Sequence, residues 1–291
     1  MRIALVGNND GPLVLAKSMH RHEVFPVCVG LQKPANEELK QAYQKIIDIN
    51  YFFSGFEEDA LLKYLADYEI DVLINCFCNF KFKVLLEHYH VLNVHLAPLP
   101  KYRGRHPMHW ALINGAPKFG VTVHRMDEAF DSGAILWQKI VPTVPGMSVA
   151  ELRSVLMDVL AAHFGEFVVA YEKGDIEPLP NEDANATYAP RRYPEDSRLS
   201  EWQDRDTIFR KVMALRSEQN PAFLQVEGHD IPVLSANCIE NEKSKEKSLS
   251  AASITALDTN GIQVLCKDGK RVELAGFNPE KFGLQLKQKL S

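Results

Sequence analysis

Cysteine is sparse and unpaired: the five in 291 residues are Cys28, Cys76, Cys78, Cys238 and Cys266, an odd number without a paired C-x-x-C. Neither a disulfide framework nor a cysteine-based zinc site follows from them, and a reducing cytoplasm is expected. Positive charge is also short, with 33 Lys and Arg against 38 Asp and Glu and a formal charge of -5. A nucleic-acid partner, whose phosphates require clustered cations, is therefore not expected. The apolar start, Ile3–Val6, is broken at once by Gly7 and Asn8, too early for a signal peptide core or a membrane span. Gly7 and Gly11 are spaced G-x-x-x-G, so the G-x-G-x-x-G turn of a dinucleotide site is missing, which disfavours a nicotinamide-dependent oxidoreductase. What remains is an apolar share of 46%, ample for a sizeable core, and a length suited to one large domain plus a small one.

The first half alternates strand-like and helix-like segments. Ile3–Val6, Val24–Val29, Asp71–Cys76 and Val91–His95 read as strands, and Pro12–His20, Asn36–Ile47 and Glu57–Tyr68 as helices. This alternation predicts an α/β domain, Rossmann-like, with a mostly parallel sheet whose site lies at the carboxyl ends of the strands. Pro107–Asn114 reads as a short helix, Phe119–Met126 and Ala134–Val141 as strands, and Ser148–Gly174 as a long helix with apolar residues at helical spacing. The Pro-, Asn-, Asp- and Arg-rich stretch Asp175–Ser200 reads as a linker region. Beyond it, Gln203–Arg216 is expected to be helical. Ile262–Cys266 and Arg271–Ala275 flank an Asp-Gly hairpin signal, and 241–250 is a charged loop. The predicted division is a catalytic domain over 1–186, a linker over 187–203 and a small β-rich domain over 204–291.

Chemistry concentrates where the strand Val91–His95 ends. Asn93 and His95 are two apart, so both leave the strand on one face, where apolar residues would otherwise stand. The following loop, Leu96–Gly104, is stiffened by Pro98 and Pro100 and carries Lys101 and Arg103, which suits an anion. Asp131 precedes Ser132 and Gly133 in a tight turn. Each feature taken singly has an ordinary structural explanation. His106 and His109 have H-x-x-H spacing, but no Cys or Asp completes a ligand set, and no metal is expected.

Taken in order, Asn93-Val94-His95, Leu99-Pro100-Lys101-Tyr102-Arg103-Gly104, Gly120-Val121-Thr122 and Asp131-x-Gly133 resemble the folate-dependent formyltransferases. Thr187-Tyr188-Ala189 and Leu199-Ser200-Glu201-Trp202 stand where that family joins its catalytic domain to a small C-terminal one. The resemblance implies 10-formyltetrahydrofolate as co-substrate and Asn93, His95 and Asp131 as the catalytic set. Asn93 would donate to the developing oxyanion, His95 would stabilise charge and move a proton, and Asp131 would orient the imidazole and favour its protonated form. It also implies a pterin near Phe77, Cys78 and Asn79, with Met126 and Asp127 beside it. Leu96-Ala97-Pro98 departs from the serine that many relatives carry after the histidine.

Among acceptors, the segment Leu31–Glu38 is short and nearly neutral, unlike the longer basic loop of methionyl-tRNA transformylases. Pro100–Arg105, Gly120–Met126 and Gly133-Ala134-Ile135 resemble the domain that formylates UDP-4-amino-4-deoxyarabinose. The implied acceptor is a nucleotide-linked amino sugar, in the setting of lipopolysaccharide biosynthesis, with a homodimer as the implied assembly. Lys101, Arg103 and Arg105 are then candidates for the diphosphate, together with Tyr102 and Gly104 of the same loop, and Trp110 for the sugar pocket. Methionyl-tRNA is the alternative acceptor, and a non-catalytic folate-binding module the rival from another class.

Overall fold

The computed structural model describes residues 1–46, 52–78, 82–200, 202, 204–240 and 250–290. Asn79, Ile47, Glu201 and most of the charged loop 241–250 lie outside the described residues. The chain opens with β1 (Ile3–Gly7), α1 (Gly11–His20), β2 (Cys28–Leu31), α2 (Glu37–Gln44), β3 (Phe52–Ser54) and α3 (Glu58–Asp67). It continues with β4 (Val72–Cys76), α4 (Val84–His88), β5 (His90–His95), β6 (Arg103–Gly104) and α5 (Pro107–Ile113). Then come β7 (Lys118–Arg125), β8 (Ile135–Pro142), α6 (Val149–Lys173), β9 (Tyr188–Ala189) and α7 (Arg205–Leu215). The last strands are β10 (Phe223–Val226), β11 (His229–Pro232), β12 (Ser235–Ile239), β13 (Ala252–Leu257), β14 (Gly261–Leu265), β15 (Arg271–Ala275) and β16 (Lys289–Leu290).

Two compact units result. The first holds Met1–Gly104, Phe119–Val141 and Ser154–Ala189; the second holds Arg105–Lys118, Pro142–Arg153 and Pro190–Ser291. The predicted boundaries at 186 and 204 leave out the two earlier segments, 105–118 and 142–153, that join the second unit. The stretch 187–203, read as a linker, carries β9 and a 3-10 turn at Pro194–Ser197.

The first unit is built on a seven-stranded sheet ordered β3-β2-β1-β4-β5-β7-β8. β1 through β5 pair in parallel and β7 runs antiparallel to β5. Every residue of β1, β2 and β4 is buried, as strands covered on both faces require. Leu61, Leu65 and Leu85 pack with Val6 and Leu73 in one core cluster. β2 and β4 flank β1 on opposite sides, so the strand order reverses there, the kind of point at which α/β sheets place their sites. The expected strand Val24–Val29 starts later, because Pro26 has no N–H to give the ladder; pairing begins where Val27 N donates to Ile3 O at 2.7 Å. The three-residue β3 was not foreseen, being too short to show a period. α6 is long and apolar enough by length and composition to cross a membrane, yet its Leu156, Leu160, Phe164 and Val168 are buried within the protein.

The second unit contains a five-stranded sheet ordered β12-β15-β14-β13-β16, antiparallel throughout. The Asp-Gly hairpin forms as expected, with Gly269 N donating to Cys266 O at 3.0 Å and Cys266 N to Lys270 O at 2.8 Å. Asp204 caps α7 by accepting from Thr207 N at 2.8 Å, and Ile208, Val212 and Leu215 bury its apolar face.

Candidate active site

Three polar side chains stand at one level of the first unit's sheet. Asn75 on β4 is in register with Asn93 on β5, and Asn93 with His124 on β7. They are 4%, 9% and 1% exposed. Buried polar groups must be hydrogen-bonded, and these satisfy one another. Asn75 Nδ2 donates to Asn93 Oδ1 at 2.8 Å, and Asn93 Nδ2 lies 3.1 Å from His124 Nε2.

Asp131 comes to this row from the turn between β7 and β8, with a left-handed φ of 54°. Gly133 makes the turn possible: a Cβ there would lie 2.1 Å from the Arg125 carbonyl oxygen. Asn181 Nδ2 clasps the turn from outside, donating to the carbonyls of Asp131 at 2.8 Å and Gly133 at 3.0 Å. The Asp131 carboxylate accepts from Gly104 N at 2.8 Å and from Asn93 Nδ2 at 3.4 Å. Burial pushes this carboxyl up, but the imidazoles of His124 and His95 and the Gly104 amide outweigh it and hold the pKa at about 2. Asp131 is thus a fixed anion.

His95 Nε2 lies 3.0 Å from the Tyr102 carbonyl oxygen, and Nδ1 lies 3.7 Å from Asp131 Oδ2. The second distance exceeds a hydrogen bond. The imidazole is therefore oriented by the main chain, where the sequence suggested Asp131. Burial pushes the His95 pKa below the ordinary 6.5, against the pull of Asp131 and the Tyr102 carbonyl. Asp131 does favour the protonated form, as the resemblance implied, but desolvation outweighs it and the resting ring is neutral. The loop after His95 is pinned from β7 and β8. Thr122 Oγ1 donates to Ala97 O at 2.7 Å, and Gln138 Nε2 donates to Leu99 O at 2.8 Å.

The structure brings Asn93, His95 and Asp131 together and separates the other candidates into distinct environments. Phe77 and Cys78 follow the carboxyl end of β4, where Cys78 N donates to Asn75 Oδ1 at 3.2 Å and the Phe77 carbonyl accepts from Asn8 Nδ2 at 2.8 Å. Met126 packs on the core cluster, and Asp127 accepts from Ser132 Oγ at 2.5 Å. Lys101 is exposed. Arg103 is not: at 1% exposure its guanidinium donates to Asp183 at 2.6 Å and to the Asn181 carbonyl and amide oxygens at 2.8 Å. It braces the loop against 181–188 and is spent on protein partners. Tyr102 contributes its carbonyl, and Gly104 its amide, to the histidine and aspartate rather than to a loop free for an acceptor.

In the second unit, Arg105 is exposed and Trp110 Nε1 donates to Pro190 O at 2.8 Å. His106 Nδ1 accepts from Arg192 N at 2.7 Å, and His109 Nε2 lies 3.4 Å from Glu218. Burial, together with His109, Arg192, Arg105 and Arg191, lowers the His106 pKa. Among the described residues no set of His, Cys, Asp or Glu is placed to hold a metal ion.

Sequence reading missed Asn75, His124 and Asn181. The first two carried a usable signal, a polar residue at an inward position of an apolar strand, in Val72-Leu73-Ile74-Asn75 and Val121-Thr122-Val123-His124. Nothing in the sequence marked Asn181.

The α/β sheet with its buried Asn, His and Asp cluster, followed by a small antiparallel β-sheet, matches one family of group-transfer enzymes. Residues 2–162 match the formyl transferase family and residues 193–281 match its C-terminal domain. The chain belongs to the formyl transferase family. A methionyl-tRNA formyltransferase of Synechococcus sp. (strain JA-3-3Ab) is 44% identical over 143 residues, which are 49% of this chain and 44% of that relative. The N-formyltransferase from Helicobacter canadensis, solved with folinic acid and dTDP-3-aminofucose, superposes with a TM-score of 0.70 at 14% identity, over 94% of this chain and 99% of that one. HypX from Aquifex aeolicus, solved with tetrahydrofolic acid, gives 0.63 at 20% identity, over 94% of this chain and 43% of that one.

Proposed function

We propose that the protein transfers a formyl group from 10-formyltetrahydrofolate to the primary amine of a nucleotide-linked amino sugar. The observation that carries formyl transfer is the buried cluster of an amide donor, a neutral imidazole and a fixed carboxylate gathered at the interior strand β5. Asn93 Nδ2 donates to the formyl oxygen as it gains charge. His95, kept neutral by burial, accepts the proton shed by the amine as its nitrogen bonds to the formyl carbon. The Asp131 carboxylate, 3.7 Å away, stabilises the imidazolium so formed. That proton then goes to N10 as its bond to the formyl carbon breaks. Phe77, Cys78, Met126 and Asp127 are the residues that would hold the folate. Beside Phe77 the buried Asn8 Oδ1 has no hydrogen-bond partner among the described residues, an acceptor suited to a ligand N–H.

Three features support the sugar acceptor. The Helicobacter canadensis neighbour, of similar length, holds dTDP-3-aminofucose. The connection from β2 to α2, residues 32–36, holds Lys33 as its one cation. The second unit gathers Arg105, Arg191 and Arg192 around His106, a setting for a diphosphate. Methionyl-tRNA is the second reading, favoured by the 44% identity to the Synechococcus relative. Incubating the protein and folate donor with a panel of nucleotide-linked amino sugars and with methionyl-tRNA, read by product mass, separates the two. Formylated sugar is expected; formyl-methionyl-tRNA as sole product overturns the sugar reading.

A further inference from the structure

The hydrogen bonds behind Asn93 run in a single direction. Cys78 N–H donates to Asn75 Oδ1 at 3.2 Å, which fixes the amide of Asn75 with its nitrogen turned to β5. That nitrogen donates to Asn93 Oδ1 at 2.8 Å, which fixes the second amide in turn. At the far end, His124 Nδ1 lies 2.7 Å from the Arg125 carbonyl. A carbonyl only accepts, so Nδ1 donates to it, and Nε2, facing an amide nitrogen that can only donate, serves as the acceptor. It faces Asn93 Nδ2 at 3.1 Å, closer than the 3.5 Å to Asp131 Oδ1, and takes one of the two amide hydrogens. Both ends of the relay are main-chain groups, an N–H that cannot accept and a C=O that cannot donate, so no member can reverse alone.

A primary amide has two orientations of nearly equal shape and opposite polarity. Reversed, Asn93 would turn its oxygen to the Asp131 carboxylate and to the developing oxyanion, repelling both. As built, one N–H is tied to His124 and the other, held only by the 3.4 Å contact to Asp131, is left for the substrate.

We propose that Asn75 and His124 are positioning residues that lock the Asn93 amide with its nitrogen toward the reacting oxygen. This rests on the formyl-transfer reading and adds to it two residues that touch no substrate.

The discriminating experiment compares Asn75→Asp with Asn75→Ala on the intact chain, using formyl transfer, folinic acid affinity and melting temperature. Asp is the closer match in shape, but its carboxylate cannot donate to Asn93 Oδ1 and draws Nδ2 toward itself, reversing the amide. Removing an oxyanion donor costs about 10²–10³ in rate, and Asn75→Asp is expected to lose kcat on that scale with KM little changed. Asn75→Ala merely releases the lock, and a loss of about five- to tenfold is expected, one buried hydrogen bond's worth. Folinic acid affinity stays within about twofold in Asn75→Asp, whose carboxylate still accepts from Cys78 N. A purely structural role predicts the opposite order, with truncation worse than isosteric replacement; finding Asp no worse than Ala overturns the proposal. Should Asn75→Asp not fold, His124→Phe removes the acceptor at the other end without adding charge, and unchanged kcat there overturns it equally. Asn93→Ala is the control for the parent reading. If that variant transfers formyl normally, the catalytic assignment fails; if it is slow while Asn75→Asp is normal, only the relay fails.

Discussion

His95 takes its orientation from Tyr102, whose carbonyl oxygen lies 3.0 Å from Nε2, and not from Asp131, whose carboxylate stands 3.7 Å from Nδ1. Tyr102 holds a left-handed φ of 60°, and its own N–H is tied to Thr187 Oγ1 at 2.9 Å. The histidine is aligned by the loop that follows it, and the carboxylate is kept in reserve for the charged state. Replacing Asp131 by Asn should therefore leave the imidazole in place while removing the charge that stabilises its protonated form. Turnover is expected to fall by about 10²–10⁴, the usual share of general acid–base catalysis, with folate affinity retained. His95→Ala should lose as much with the melting temperature nearly unchanged; near-normal turnover there would sink the mechanism.

The pH profile follows from the same pair. On the proposed mechanism His95 is neutral when it takes the amine's proton, and its pKa lies below the ordinary 6.5. kcat/KM should accordingly be level through neutrality and fall only below the usual histidine range. A falling limb centred above 6.5 that vanishes in His95→Asn would contradict this.

Acid stability should carry a matching signature. The Asp131 carboxyl is lowered from 3.8 to about 2, so its contribution is full above 3.8 and is lost as pH falls toward 2. A shift of that size is worth on the order of 2 kcal/mol. His95, also lowered, acts with the same sign, its contribution fading as pH drops below 6.5. Urea denaturation between pH 7 and pH 3 should show a steeper loss for the native protein than for Asp131→Asn.

Arg103 separates stability from binding. Its guanidinium is buried and its two terminal nitrogens donate to Asp183 and Asn181, so Arg103→Ala should destabilise by about 2–4 kcal/mol through lost hydrogen bonds and a cavity. Lys101→Ala and Arg105→Ala, at exposed positions, should raise acceptor KM and leave melting within about 1 °C, as surface changes usually do. A melting loss in Lys101→Ala equal to that of Arg103→Ala would refute the distinction.

Gly133→Ala tests the turn. A Cβ at 2.1 Å from the Arg125 carbonyl must displace the turn that presents Asp131. Destabilisation of about 1–3 kcal/mol is expected, with turnover falling further than stability alone explains. Unaltered turnover would show that Asp131 is held by Asn181 and Gly104 without the turn.

The alternation of apolar strands with amphipathic helices specified a mostly parallel sheet, because periodicity is a local property. Where the residue pattern was too short, as in β3, or interrupted, as at Pro26, the boundaries shifted. Asn93 and His95 stood out as polar residues two apart on an apolar strand, but only their order with the later motifs, through the family resemblance, made them candidates for a site. Asp131 was legible only through its order with the loop and with Gly133.

The α/β fold and the small β-rich unit were legible in the residue pattern alone, since each rests on local periodicity and turn signals. The surroundings of Asn93, His95 and Asp131 came only from the folded chain. It put Asn75 and His124 in register with Asn93, and it spent Arg103 on Asn181 and Asp183. It also left His95 neutral beside a fixed anion. Hydrogen-bond direction and desolvation depend on which segments meet, and strands 18 and 31 residues apart in sequence carry no local mark of meeting.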